Sequence, residues 1–121
     1  MKNILIIEDN EMQQQILSIF LKNLSCHCSI ASSAEEGESL IQKHTFDLIL
    51  LDINLPGMSG LYFLKKIRQT YSKSELPVFM ISALSQPINL EKAAEEGANL
   101  FLKKPIALDV LKDAIEAMDS K

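Results

Sequence analysis

Three short stretches of the chain are apolar at every position, and each ends abruptly on polar residues. Ile4-Leu5-Ile6-Ile7 runs into Glu8-Asp9, Leu48-Ile49-Leu50-Leu51 into Asp52, and Val78-Phe79-Met80-Ile81 into Ser82. A strand with one solvated face alternates apolar and polar side chains, whereas one covered on both faces has no solvated position. These runs therefore read as the central strands of a parallel sheet with helices on either side. Two weaker runs, His27 to Ala31 and Leu100 to Leu102, have the mixed polarity of edge strands.

The segments between the runs carry helical signals. From Glu11 to Leu24, residues Ile16, Leu17, Phe20, Leu21 and Leu24 recur on one arc at helical period. Ser32 and Ser33, followed by Glu35 and Glu36, offer two overlapping capping boxes for a helix running to about His44. A third helix is predicted from Gly60 to about Tyr71, carrying Leu61, Phe63, Leu64 and Ile67. A fourth is predicted over Asn89 to Glu96, closed by Gly97 as a left-handed cap. A fifth is predicted from Ala107 to about Met118, with Leu108, Leu111, Ile115 and Met118 on its inner stripe.

Strict alternation of strand and helix with short connections implies an α/β fold, a five-stranded parallel sheet doubly wound by five helices. The strand order 2-1-3-4-5 puts the two weak runs at the edges, as their polarity asks. Ligands of such sheets bind beyond the carboxyl ends of the strands, near the point where the winding reverses. That rim is where Glu8, Asp9, Asp52, Ser82 and Lys104 fall.

Taken singly, each of these residues has a plain reading. An acidic pair suits a helix N-terminus, Asp52 before Pro56-Gly57 suits a turn, and Ser82 or Lys104 suits a surface. Gathered at one rim they form a different object. Two like unit charges about 5 Å apart repel by about 3 kcal/mol at an effective dielectric of 20. Three carboxylates together need a counter-charge, and an all-oxygen donor set points to Mg²⁺, or Mn²⁺, in preference to zinc. With Lys104 added, the positive charge balances Glu8, Asp9 and Asp52. A phosphoryl group on Asp52 would add about one further negative charge and meet the cation, the Lys104 ammonium and the Ser82 hydroxyl. Such fixed charges are the main requirement of phosphoryl transfer.

Composition bounds the partners. At 121 residues, 47% hydrophobic and 23% charged, the chain has the size and balance of one domain with a true core. A net charge of −4 supplies no basic surplus for nucleic-acid backbone, and Lys65, Lys66 and Arg68 read as a solvated helix face. No apolar stretch is long enough to span a membrane, so no membrane association is expected and the location is expected to be cytoplasmic. Cys26 and Cys28 flank His27, but four zinc ligands are not at hand; reduced packing residues are expected.

The motifs together carry a resemblance. Ile-Ile-Glu-Asp-Asn at 6–10, Asp-Leu-Ile-Leu-Leu-Asp-Ile-Asn-Leu-Pro-Gly-Met-Ser-Gly at 47–60, Ile-Ser-Ala at 81–83 and Lys-Lys-Pro at 103–105 stand in one order and spacing. In these, from about Lys2 to Met118, the chain resembles the receiver domains of bacterial response regulators in two-component signalling, whose fold is flavodoxin-like. The resemblance implies one receiver domain over residues 1–121. It implies Asp52 as phospho-acceptor, taking phosphate from the phosphohistidine of a sensor histidine kinase or a histidine phosphotransfer protein. It implies metal ligation by Asp9, by Glu8 through water, by Asp52 and by the backbone carbonyl of Asn54. Ser82 and Lys104 become the phosphate-binding hydroxyl and amine, and the Lys104–Pro105 bond is expected to be cis. Phe101 takes the place of an aromatic switch residue. Its turning inward with Ser82 would change the face made by the fourth helix, fifth strand and fifth helix, for a downstream protein target or a self-dimer. Leu84 stands where a polar residue would orient an attacking water, so a long-lived acyl phosphate is expected. Met12 and Ile19 extend the first helix's apolar arc as a kinase-docking flank, against a plain core role.

Two rivals stay open at this point. A phosphatase of the haloacid-dehalogenase type also uses an aspartate nucleophile and Mg²⁺, but requires Asp-x-Asp after its first strand and a cap. A degenerate receiver would serve only as a binding module.

Overall fold

The computed structural model describes residues 1–55, 57–82 and 94–118. Five parallel strands, β1 (Asn3–Ile7), β2 (His27–Ala31), β3 (Leu48–Asp52), β4 (Val78–Ser82) and β5 (Leu100–Lys103), form one sheet in the order β2-β1-β3-β4-β5. Among the described residues, four helices have both ends: α1 (Glu11–Asn23), α2 (Ala34–Lys43), α3 (Gly60–Arg68) and α4 (Leu108–Ala117). Of the helix expected over Asn89 to Glu96, residues 89–93 lie outside the described residues, as does Leu84; Ala94 and Glu95 are helical.

The period of two along each strand divides the core into two layers. Ile4, Ile6, Leu48, Leu50, Phe79, Ile81 and Leu102 pack under Leu17 and Leu21 of α1 and Leu111 and Ile115 of α4. Leu5, Ile7, Ile49, Leu51, Val78 and Met80 pack on the other face, under Ala34 of α2 and Phe63, Leu64 and Ile67 of α3. Every residue of β3 and β4 is buried, whereas β2 and β5 are part-exposed. The sheet is thus doubly wound, with the weak runs at its edges.

The helix ends follow local chemistry. Asn10, Ser33 and Ser59 cap α1, α2 and α3, their side chains accepting from the backbone N–H of Gln13, Glu36 and Tyr62. Of the two overlapping capping boxes, Ser33 is therefore the one used; Ser32 accepts instead from Gln14 Nε2 at 3.1 Å.

Three expectations need correction. α3 ends at Arg68, three residues short of Tyr71, and the Arg68 side chain binds carbonyls of the following loop. Ile16 is not on the buried stripe of α1; it is 42% exposed and lies beside Met12 at 69% and Ile19 at 63%. Leu17 and Leu21 alone face the core fully, so the apolar surface of α1 is wider than the sheet can cover. Nor is Arg68 part of a solvated basic face with Lys65 and Lys66. It is half-buried, donating from Nε to Gly97 O at 2.9 Å, from Nη1 to Leu76 O at 2.8 Å and from Nη2 to Asn99 Oδ1 at 2.9 Å. Burial lowers the pKa of its guanidinium, without threatening its charge.

Cys26, just before β2, and Cys28, within it, are not joined in a disulfide. Burial, with a smaller contribution from Cys26, pushes the Cys28 thiol up to about 11.

Candidate functional site

Among the described residues only three polar side chains are buried, Glu8, Asp52 and Ser82, and all three stand at carboxyl ends of strands. Asp52 closes β3, opposite Ile81 of β4; Ser82 closes β4, opposite Lys103 of β5; Glu8 follows β1 directly. Burying polar groups costs stability, and among the described residues it happens only at this rim, which marks it as a site.

Lys104 supplies the counter-charge. Its Nζ lies 2.9 Å from Glu8 Oε1 and 3.1 Å from Asp52 Oδ2, so one ammonium bridges both buried carboxylates. The chain is aimed for this by the bond from Lys104 N to Ser82 O, 2.7 Å, and the Lys104–Pro105 peptide is cis. Burial opposes the ammonium's charge, yet Glu8 and Asp52 together hold its pKa above that of an ordinary lysine.

Glu8 is held at both ends. Its backbone N–H donates to Ala31 O at 3.0 Å, and its Oε2 accepts from Asn10 N at 3.1 Å. Its Oε1 is buried with no hydrogen bond, the Lys104 ion pair being its contact. Burial raises the Glu8 pKa; Lys104 and the Asn10 N–H pull the other way, and the nearby Asp52 adds to the rise.

Asp52 Oδ1 accepts from the backbone N–H of Asn54 at 2.9 Å. The loop after it is pinned by Ile53 N to Ile81 O and by Gly60 N to Ile53 O, each 2.9 Å. Gly60 permits that approach: a Cβ there would lie 2.6 Å from both Asp52 O and Ile53 Cα, backbone atoms with nowhere to go.

Asp9 is exposed, and one carboxylate oxygen each from Glu8, Asp9 and Asp52 fall within 4.8 Å of one another. Three hard oxygen donors this close together fit a divalent cation, and Glu8 also keeps a buried Oε1 that accepts no hydrogen bond.

The structure thus brings together Glu8, Asp9, Asp52 and Lys104 as the sequence predicts. Ser82 has a different placement. Asp52 shares the strand parity of Leu48 and Leu50, on the α1/α4 face, while Ser82 shares that of Val78 and Met80, on the α2/α3 face. Phe101, opposite Met80 and packed on the same core layer, is the diagonal neighbour of Ser82 across β4 and β5. Gln14 escaped the sequence reading. Its amide donates to the backbone carbonyl of Glu8 and to Ser32 Oγ, and no motif announces a bond from a helix back across six residues.

Comparison with known proteins agrees with this geometry. Residues 4–116 match the family described as response regulator receiver domain. The chain is 31% identical over 118 residues to the transcriptional regulatory protein AfsQ1 of Streptomyces coelicolor, covering 98% of this chain but 51% of that protein. It is 30% identical over 116 residues to the chemotaxis protein CheY of Pseudomonas aeruginosa, covering 93% of this chain and 92% of that one. A two-component response regulator from Clostridium difficile superposes with a TM-score of 0.91 at 26% identity, covering 100% of this chain and 98% of its own. Sequence match, sheet order and acidic rim coincide: the chain belongs to the response regulator receiver domain family, the phospho-acceptor modules of two-component signalling.

Proposed function

We propose that Asp52 accepts a phosphoryl group from the phosphohistidine of a sensor histidine kinase or histidine phosphotransfer protein. The observation that carries this reading is the Lys104 ammonium bridging Glu8 and Asp52 beside the exposed carboxylate of Asp9. An Asp52 carboxylate oxygen attacks phosphorus, the O–P bond forms as the N–P bond breaks, and the imidazole leaves with a proton as a neutral donor. The three phosphoryl oxygens then require positive charge and donors. Lys104 follows one of them, and the Ser82 hydroxyl turns towards the phosphate to bind another. Asp9, Asp52 and the Asn54 carbonyl, with Glu8 through water, would hold Mg²⁺ (or Mn²⁺), which would supply the charge that offsets the phosphoryl oxygens.

Output follows from the opposite face. A Ser82 hydroxyl drawn to the phosphate leaves space near its diagonal neighbour Phe101. An inward turn of Phe101 then remodels the face made by β5, α4 and the helix expected over Asn89 to Glu96 for a protein target or a second copy. Met12, Ile16 and Ile19 form an exposed apolar stripe on α1, next to Asp9, and serve as the docking flank for the phosphodonor. Leu84, outside the described residues, has no group to orient water, so the acyl phosphate is long-lived.

Intact mass after incubation with acetyl phosphate and Mg²⁺ tests the central claim. One phosphoryl group should appear on the wild type and none on Asp52→Asn; an unmodified wild type would overturn it. Small phosphate esters should not be turned over, which separates this reading from a phosphatase.

A further inference from the structure

We propose that the side-chain amide of Gln14 is a positioning residue for the acidic pair, setting the affinity of the rim for Mg²⁺; the inference rests on the reading given under Proposed function. The Asp9 carboxylate is exposed and accepts no hydrogen bond from the described residues, so its place is set by its backbone alone. That backbone begins at the Glu8–Asp9 peptide, whose carbonyl accepts from Gln14 Nε2. The second hydrogen of the same amide goes to Ser32 Oγ at 3.1 Å, on the connection from β2 to α2. Both donors of one side chain are therefore used to tie the loop carrying Glu8 and Asp9 to a second loop, which the bond from Glu8 N to Ala31 O already adjoins.

The consequence is specific. An exposed carboxylate on an unbraced loop must be ordered when a cation arrives, and that cost weakens binding. Partners that orient ligands from behind typically change metal affinity tenfold to a hundredfold when removed. Gln14 acts on one carbonyl, not on a ligating atom, so the lower end applies.

The test measures Mg²⁺ binding to unphosphorylated protein by calorimetry and by amide chemical shifts of Asp9 and Asn10. Thermal unfolding in a chelator is followed in parallel. Gln14→Met keeps length and helix propensity while deleting both donors; Gln14→Ala is a second variant should Met repack. Both should bind Mg²⁺ about tenfold more weakly than wild type, with the chelated unfolding midpoint little changed. Gln15→Met, its exposed neighbour, should bind as wild type does. A wild-type affinity in Gln14→Met and Gln14→Ala would overturn the positioning role and leave the reading of the site standing. A lowered midpoint with unaltered affinity would make Gln14 structural only, also overturning it. A wild type that binds no Mg²⁺ would instead overturn the reading of the site, and this inference with it.

Discussion

Lys104 Nζ donates to Asp52 Oδ2 at 3.1 Å, joining residues fifty-two positions apart, and the same nitrogen pairs with Glu8 Oε1 at 2.9 Å. Removing the ammonium leaves two buried carboxylates facing each other with no counter-charge. Lys104→Met should therefore lower the stability of the metal-free protein by about 2–3 kcal/mol, toward the smaller end for buried pairs because Lys104 is partly solvated. Saturating Mg²⁺ should restore a large part of that loss. Denaturant titrations with chelator and with Mg²⁺ check both statements, and a loss well under 1 kcal/mol would contradict the bridge.

The pH dependence of stability should carry the mark of Glu8. Its folded pKa lies above the ordinary value of 4.5, chiefly through burial. The folded protein thus holds this proton more tightly than the unfolded chain does. The contribution is fully present below the unfolded value and is lost as pH rises through the folded one. In chelator, Glu8→Gln should raise the unfolding midpoint at pH 7 and change it less at pH 4.5. Equal effects at both pH values would count against the assignment.

Gly60 should tolerate no side chain. A Cβ would press on Asp52 O and Ile53 Cα at 2.6 Å, and those atoms belong to the strand end that carries the acceptor. Gly60→Ala is expected to cost about 1–3 kcal/mol, in the range for overpacking, and to slow phosphorylation by acetyl phosphate at least several-fold. Wild-type rates in a folded Gly60→Ala protein would show that α3 can withdraw without moving Asp52.

Arg68 should matter far more than its position in a basic cluster implies. Truncation strands the carbonyls of buried Gly97 and Leu76, while exposed Asn99 Oδ1 keeps only its bond from Val78 N, and lost charge-assisted bonds leave buried acceptors unpaired. Arg68→Ala is expected to destabilise by about 3 kcal/mol, and Arg68→Lys to recover less than half, since one ammonium cannot span the fork. Lys65→Ala, in the same run but exposed, should be near neutral in the same chemical-denaturation series.

The strands were legible because burial on both faces demands apolar side chains at every position, and Ile4–Ile7, Leu48–Leu51 and Val78–Ile81 obey that demand locally. The chemical rim was legible for a related reason. Glu8, Asp52 and Ser82 interrupt those runs where a buried polar group has no structural excuse, and parallel winding sends all carboxyl ends to one edge. The helix starts after Ser33 and at Gly60 were equally local, since a helix start depends on its own first turn.

Other features depended on how distant segments meet. The Lys104 bridge, the Arg68 clasp across 29 and 31 residues, and the return of Gln14 to the Glu8 carbonyl are bonds between groups separated along the chain. Their energies exist only after the backbone has closed around them. The exposure of Ile16 is of the same kind, because helical period places it on an apolar arc but the width of the sheet beneath determines how much of that arc is covered. Residue type and spacing therefore determined which elements form and where reactive groups emerge. Packing alone decided which oxygen meets which nitrogen, because a hydrogen bond depends on ångström-scale distance and direction that no local sequence pattern specifies.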